Sequence, residues 1–292
     1  MPGSSPTSAV DPAERIRSHV DRALDLALAD ARETLVELDP SSAILVDEIA
    51  RLVGAGGKRL RPTFCVLGFR AAGGDPDAVA IVRTAGALEL LHAMALIHDD
   101  VIDESAERRG VASSHRWLAD RARHVGSAEP ERTGRSLAIL AGDLAAVLAD
   151  RLFLGSGFPP PRVVAALRIY ASMRVEMAAG QVLDVMGSAG ARAPGRVARM
   201  RGGSYTVGAP LAIGATLGDA SPAVLDRLAA YGGPLGEAFQ LMDDLRDGDQ
   251  GSIDRGRVRA LVDEAIAALD PRTLPSAVVA ALGDLAERVG RG

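Results

Sequence analysis

The sequence predicts an all-α protein. Hydrophobic residues make up 48% of the 292 residues but aromatic residues only 3%, so the core has to be built from Ala, Leu and Val. Ala and Leu are strong helix formers. Apolar residues recur at helical spacing, as at Ile16, Val20, Leu24 and Leu28, which is the pattern of a helix buried on one face. Repeated along the chain, this pattern indicates a bundle of about ten or more helices.

Turn-forming residues divide the chain into these helices. Helices are predicted over residues 11–38, 43–53, 63–72, 77–103, 136–154, 162–186, 196–206, 257–269 and 276–288, and one more begins at residue 221. Residues 1–10 are rich in Ser, Pro and Gly and are predicted to be disordered, which leaves 11–292 as a single domain. Residues 105–135 are polar and rich in Arg, and we expect a mobile surface loop there.

Charge and cysteine content narrow the range of functions. The formal net charge of −5 gives no reason to expect a nucleic-acid partner. The single cysteine, Cys65, excludes an intrachain disulfide. The amino-terminal residues lack the basic start and apolar stretch of a signal peptide, and no apolar run has the length expected of a membrane span. The sequence therefore predicts a cytoplasmic protein without an integral membrane segment.

The most informative stretch is LLHAMALIHDDVIDESAERR at 90–109, an apolar run that ends in three aspartates. A helix turns about 100° per residue, so His92, Asp99 and Asp103 fall within roughly 40° of one another. Asp100 lies beside them. Carboxylates this close repel one another and need a compensating cation. Oxygen-only ligands favour a hard ion, and magnesium usually keeps waters and relies on a substrate's phosphates, so we expect a magnesium site here.

The same spacing recurs in FQLMDDLRD at 239–247. Asp243, Asp244 and Asp247 repeat the DDxxD pattern, and Gln240 lies about one turn before them on the same face. A single DDxxD is typical of a solvated helix end. Two copies, each at the end of an apolar helix, favour two magnesium clusters that face one cavity and bind clustered phosphate oxygens. Magnesium neutralises a diphosphate and improves it as a leaving group.

A third motif, GGKRLRP at 56–62, is basic. Lys58, Arg59 and Arg61 stand beside flexible glycines and can converge on a phosphate-bearing ligand. A solvated basic turn explains these residues equally well, and the motif by itself leaves both interpretations open.

Five motifs together resemble the polyprenyl synthetase family, the trans-isoprenyl diphosphate synthases. They are GGKRLRP at 56–62, DDVID at 99–103, RRG at 108–110, GQVLD at 180–184 and DDLRD at 243–247. The resemblance covers nearly all of the chain from about residue 40. It implies the isoprenoid synthase fold, with helices around a deep aliphatic cavity, and a homodimer. The implied reaction is the Mg²⁺-dependent head-to-tail condensation of isopentenyl diphosphate with an allylic diphosphate.

The resemblance also implies residue roles. Magnesium ligands, direct or through water, are implied at Asp99, Asp100, Asp103, Asp243 and Asp244, and less directly at Asp247. Isopentenyl diphosphate would be held by Lys58, Arg61, His92 and Arg109. Arg108 would contact the allylic diphosphate, and Gln181 and Gln240 would line the reacting centre. The released diphosphate would remove the last proton, so no side-chain base is required.

Product length is implied by the residues below the first cluster. Met94 and Ala95 precede Asp99 on the same helix and lie about 6 to 7.5 Å below it. In the family, aromatic residues at these places stop the chain at the farnesyl length. Met94 and Ala95 block less firmly, and Leu91, further down, is a candidate later floor. The expected product is geranylgeranyl diphosphate.

Two departures from the family pattern bear on activity. Arg201 and Gly202 stand where the family has a Lys-Thr pair, which keeps a charge but removes a hydroxyl. The glycine- and lysine-rich loop after the second cluster is shortened and has no lysine, leaving Arg255, Arg257 or Arg259 as replacements. A class I terpene cyclase acting on a long allylic diphosphate, and a poorly active subunit of a heteromeric synthase, therefore stay open beside the prenyltransferase.

Overall fold

The structure is a computed structural model that describes residues 12–186, 199–246 and 255–291. These residues are almost entirely helical, which confirms the all-α fold class. The helices are α1 (Pro12–Leu38), α2 (Ala43–Gly54), α3 (Leu60–Ala71), α4 (Val79–Ile102), α5 (Ser114–His124), α6 (Pro130–Leu154), α7 (Pro160–Val185), α8 (Ala209–Leu217), α9 (Pro222–Arg246), α10 (Arg255–Ala267) and α11 (Ser276–Arg291). The segment 1–10, predicted to be disordered, lies outside the described residues.

Three short elements complete the description. A 3-10 turn (Pro40–Ser42) precedes α2, and a two-stranded hairpin of β1 (Glu107–Arg108) and β2 (Val111–Ala112) follows α4. A π-helical segment (Arg199–Gly208) leads into α8, where an ordinary helix was predicted. Its Gly203 lies so close to the backbone of Gly236 in α9 that a side chain at either position would collide with the other helix.

Helix α4 runs through the first of two apolar clusters and carries the first aspartate motif at its carboxyl end. Its Ile81, Ala85 and Leu88 are fully buried in this cluster, to which α1, α2, α6 and α7 also contribute side chains. Where α4 meets α6, the ring of His98 occupies the space that a side chain at Gly142 would need. Small residues therefore allow close packing around the helix that positions Asp99.

Helix α3 joins this cluster to a second one formed with α8 to α11. Its Val66 and Phe69 belong to the first cluster, whereas Phe64 and Leu67 belong to the second. At Gly214 of α8 an added side chain would collide with the backbone of α3. Helix α3 is thus buried on both sides.

The sequence predicts that residues 11–292 form a single domain, and this stays a prediction.

The predicted mobile loop at 105–135 is wrong. The hairpin, α5 and the first turn of α6 occupy this stretch. The two-residue turn of the hairpin, Arg109 and Gly110, has positive φ angles of 56° and 75°, as a tight hairpin requires. In α5 all three arginines are exposed, while Leu118, Ala119 and Ala122 are buried. The Arg-rich composition concealed this amphipathic pattern.

Helix α4 also bears on the membrane prediction. Among the residues that the structure describes, it alone is long and apolar enough to cross a membrane by length and composition. Its most apolar window is 67% buried within the molecule, and the core helix of a soluble protein passes the same test.

Candidate active site

The two aspartate-bearing helices line one cavity of about 730 Å³. Asp99 contributes from the end of α4, and Asp243 contributes from α9. Gln181 of α7 and Gln240 of α9 line the same space. The structure therefore brings together residues from both motifs and both glutamines that the sequence singled out.

The remaining wall of this cavity is largely apolar. Met94 and Ala95 line it below Asp99, and Met177 and Ala178 of α7 line it as well. Leu91, the predicted later floor, is fully buried in the first apolar cluster and is not part of the cavity lining. Such a wall suits a hydrocarbon chain, because it shields the chain from water.

Arg108 holds the first aspartate cluster together. Its Nε donates to Asp100 Oδ1 at 2.8 Å, and its Nη2 lies 3.2 Å from Asp99 Oδ2. Asp100 is fully buried, and this burial raises the pKa of its carboxyl, whereas the Arg108 bond lowers that pKa. Asp99 also accepts a bond from Gln181 Nε2 at 3.1 Å. The hairpin is what carries Arg108 back over the end of α4.

The other acidic residues of the two motifs are placed less completely. Asp103 caps the carboxyl end of α4 and is exposed. Asp244 lies in α9 and Arg201 in the π-helical segment, but both side chains are outside what the structure describes. Asp247 lies outside the described residues.

A separate group of cations lies at the cavity's edge. The guanidinium of Arg61 lies 4.1 Å from the ring centroid of Tyr205, and its Nη2 donates to Thr206 Oγ1 at 2.9 Å. Its buried Nε has no hydrogen-bond acceptor among the described residues. Arg109 donates to the Gly56 carbonyl. An unpaired buried donor beside other cations is a suitable place for an anionic ligand.

His92 lines the cavity next to these cations. Burial lowers its pKa well below the usual range, and the positive charges of Arg61 and Arg109 lower it further. The Nδ1 atom of His92 lies 3.5 Å from the Tyr205 hydroxyl. His92 is therefore a neutral hydrogen-bonding group at physiological pH, and not a further cation.

Lys58 is placed apart from this group. It is exposed and lines a neighbouring cavity of about 480 Å³ near the ends of α1 and α11. Phe239 lines both cavities. The structure therefore assembles Arg61, His92 and Arg109 at one edge of the central cavity, with Lys58 on the far side of Phe239.

Sequence reasoning missed the role of Arg59. Its Nη1 donates to Glu89 at 2.7 Å, its Nε to Asp21 at 2.8 Å and its Nη2 to the Val53 carbonyl at 2.8 Å. These bonds connect α1, α2 and α4 beneath the basic motif. The residue has a positive φ of 47°, which turns the chain between Arg61 and the glycines. Glu89 in the middle of an apolar helix was the available signal.

The arginines offered as replacements for the missing lysines have other partners. Arg257 Nη2 lies 3.0 Å from Glu237 Oε1, and Arg259 bonds Glu287 and Asp263. Arg255 is exposed. None of the three lines the central cavity.

The donor set fits magnesium. Asp99 and Asp243 offer only oxygen ligands to the cavity. Among the residues described, no group of three His, Cys, Asp or Glu side chains is close enough to hold an ion by itself. Magnesium needs few protein carboxylates when a substrate's phosphates and waters complete its octahedron.

Comparison with known proteins decides the family. The model of the polyprenyl synthetase family matches residues 42–258, most of the chain. The chain belongs to this family. A nonaprenyl diphosphate synthase of Mycobacterium tuberculosis is 32% identical over 227 residues, 76% of this chain and 61% of the relative. A geranylgeranyl diphosphate synthase of Methanosarcina mazei is 33% identical over 242 residues, which are 82% of this chain and 66% of the relative.

The alignments thus span between 61% and 66% of these family members. A solved structure gives a fuller match. The geranylgeranyl pyrophosphate synthase of Corynebacterium glutamicum, crystallised with isoprenyl diphosphate and magnesium, superimposes with a TM-score of 0.88 at 26% identity. The match covers 96% of this chain and 99% of that one. The fold is therefore that of the family's isoprenyl diphosphate synthases.

Proposed function

We propose that this protein condenses isopentenyl diphosphate head-to-tail with an allylic diphosphate to give a linear all-trans polyprenyl diphosphate. The observation that carries the proposal is the cavity itself. Asp99 and Asp243 line one part of it, Met94 and Ala95 form an apolar wall below, and Arg61 and His92 lie at its edge. The allylic diphosphate would need the carboxylates and the apolar wall, and isopentenyl diphosphate would need the cations.

Each group has a definite task in this reaction. Magnesium, held directly or through water by Asp99, Asp100, Asp103, Asp243 and Asp244, would neutralise the allylic diphosphate as it leaves with the electron pair of its C–O bond. The apolar wall excludes water from the allylic cation that this cleavage generates. The double bond of isopentenyl diphosphate attacks that cation, and the released diphosphate takes the departing proton. Gln181 orients Asp99 through its 3.1 Å hydrogen bond.

Arg61, with an unpaired Nε, is the strongest candidate for binding the isopentenyl diphosphate. Arg109 and His92 lie beside it, and Lys58 would have to approach from the neighbouring cavity. Arg108 would exchange part of its bonding with Asp99 for the allylic diphosphate. The product we propose is geranylgeranyl diphosphate, since neither Met94 nor Ala95 is a bulky aromatic residue.

We also propose that the protein is a cytoplasmic homodimer. Exposed apolar side chains on α6 and α7 support a protein interface, among them Ile139, Leu140, Val147, Leu154, Val164 and Val175.

Product analysis of the purified protein with Mg²⁺ tests the activity. One reaction contains isopentenyl and farnesyl diphosphates, and a second contains geranylgeranyl diphosphate alone. A longer linear diphosphate in the first reaction is the expected result, lost in Asp243→Asn and kept in Asp226→Asn, an exposed position on the same helix. A hydrocarbon or alcohol in the second reaction only would replace the proposal with a terpene cyclase. No product in either would favour a subunit that needs a partner.

A further inference from the structure

A charged side chain, held by a carboxylate of the neighbouring helix, lies in the otherwise apolar part of the central cavity. Arg174 of α7 lines the cavity together with Met177 and Ala178. Its Nη1 lies 3.0 Å and 3.2 Å from the two carboxylate oxygens of Asp150 in α6. The side chains are only partly exposed, at 35% for Arg174 and 42% for Asp150.

The depth of this pair along α7 follows from helix geometry. Gln181, which bonds Asp99, lies two turns after Arg174 on nearly the same face of α7, a separation of roughly 10 Å. Met94 and Ala95 on α4 lie about 6 to 7.5 Å below Asp99. A chain that grows downward from the carboxylates therefore passes Met94 and Ala95 first and reaches Arg174 next.

The structure closes beneath Arg174. Its guanidinium lies 5.3 Å from the ring centroid of Tyr170, one turn earlier in α7. The Tyr170 ring packs on Phe153 with centroids 5.1 Å apart, and both aromatic residues are fully buried. Arg174 is thus supported from below and cannot move further down without displacing buried rings.

We propose that the Arg174–Asp150 ion pair is the floor that limits product length. The inference rests on the proposed function. An apolar tail that advances past Met94 would have to displace water from a charged pair, and desolvating charges is costly even when they stay paired. The limit is therefore electrostatic as well as steric, unlike the aromatic block that stops the chain at the farnesyl length in the family. It also explains why Leu91, which does not reach the cavity, need not set the length.

The decisive variant is Arg174→Leu, which removes the charge and leaves an apolar surface. Incubated with isopentenyl and farnesyl diphosphates and Mg²⁺, it should shift the ratio of longer to wild-type-length products upward by about tenfold or more. Arg174→Lys, which retains a charge, should keep the wild-type distribution. Arg168→Leu removes an exposed arginine from the same helix and should also leave it unchanged.

A binding measurement separates this inference from the proposed activity. Calorimetry with Mg²⁺ should show that Arg174→Leu raises the affinity for geranylgeranyl diphosphate relative to geranyl diphosphate, by about tenfold over wild type. If the wild type elongates nothing, the proposed function fails. An increased ratio of the two affinities in Arg174→Leu would still support the ion pair as a limit on tail length. An unchanged product distribution and an unchanged affinity ratio would overturn the inference. So would equal lengthening by Arg168→Leu. Arg174→Met takes the place of Arg174→Leu if the latter does not fold.

Discussion

Gln181 donates a hydrogen bond to Asp99 across the mouth of the cavity, with 3.1 Å between Nε2 and Oδ1. The bond joins α7 to α4 at the point where the first aspartate cluster meets solvent. A carboxylate that coordinates a metal depends on such a partner for its orientation. Gln181, from the family motif at 180–184, thus bonds Asp99, which belongs to the motif at 99–103.

Replacing Gln181 should weaken the proposed magnesium site and leave the fold intact. Gln181→Leu is expected to lower kcat/KM by about tenfold to a hundredfold, the usual effect of losing a hydrogen bond to a metal ligand. It should also raise the Mg²⁺ concentration that gives half-maximal rate. Glu176→Leu, at an exposed position of the same helix, is the control. A normal Mg²⁺ dependence in Gln181→Leu would argue against this role.

Replacing Arg61 should weaken the binding of isopentenyl diphosphate only. Arg61→Gln removes the charge that lies over Tyr205 and the bond to Thr206, and with them the unpaired Nε. Charge-assisted hydrogen bonds contribute about 1.5 to 3 kcal/mol, so the KM for isopentenyl diphosphate should rise by at least about tenfold. The KM for the allylic substrate should hardly change. Initial-rate measurements with each substrate varied in turn test this, with Arg70→Gln in the last turn of the same helix as control.

Breaking the Arg59–Glu89 ion pair should lower the stability of the protein. The two side chains are 4% and 5% exposed. Arg59→Met leaves Glu89 without its buried partner and should lower the free energy of unfolding by about 3 to 5 kcal/mol. Urea denaturation should show most of this loss recovered in the double variant Arg59→Met/Glu89→Leu, because no buried charge is then left unpaired. The exposed pair Arg123–Asp120 is the comparison: Arg123→Met should change stability little.

The low pKa of His92 predicts how stability depends on pH. Burial and the neighbouring arginines keep the folded-state pKa well below the ordinary value of 6.5, so the unfolded chain binds the proton first as pH falls. The free energy of unfolding should therefore fall below pH 6.5, by up to about 1.4 kcal/mol per pH unit from this group. His92→Gln should lose that part of the slope, and His124→Gln, at an exposed position, should keep it. Equal slopes in both variants would contradict the prediction.

The exposed apolar residues of α6 and α7 predict association. Val147 is 60% exposed and Val175 is 70% exposed. The double variant Val147→Glu/Val175→Glu should shift the mass measured by light scattering from dimer towards monomer, because charges would be buried unpaired in the interface. Val125, which is 84% exposed at the end of α5, gives the control variant Val125→Glu. A monomeric wild type would refute the expected homodimer.

Much of the fold and part of the site followed from sequence patterns. Helical periodicity predicted most helices, because burial on one face leaves a regular apolar repeat. It failed at α5, where arginines on the exposed face dominate the composition, and at the π-helical segment, whose wider turns follow no common repeat. The chemical character of Asp99, Gln181 and Arg61 was readable from the motifs. Arg174 was not identified, and Arg59 was considered as a phosphate-binding residue when it in fact bonds Asp21, Glu89 and the Val53 carbonyl. Neither set of partners is visible in the sequence, because the partners meet the arginines only when the helices pack.

The sequence by itself determined the family, the helical class and the order of the motifs, because these depend on residue types and local spacing. Only the tertiary structure decided which side chains meet. It brought Asp99 and Asp243 to one cavity, placed Lys58 beyond Phe239 and paired Arg174 with Asp150. Contacts between helices distant in the chain depend on how their apolar faces and small residues pack, and no local pattern encodes that geometry.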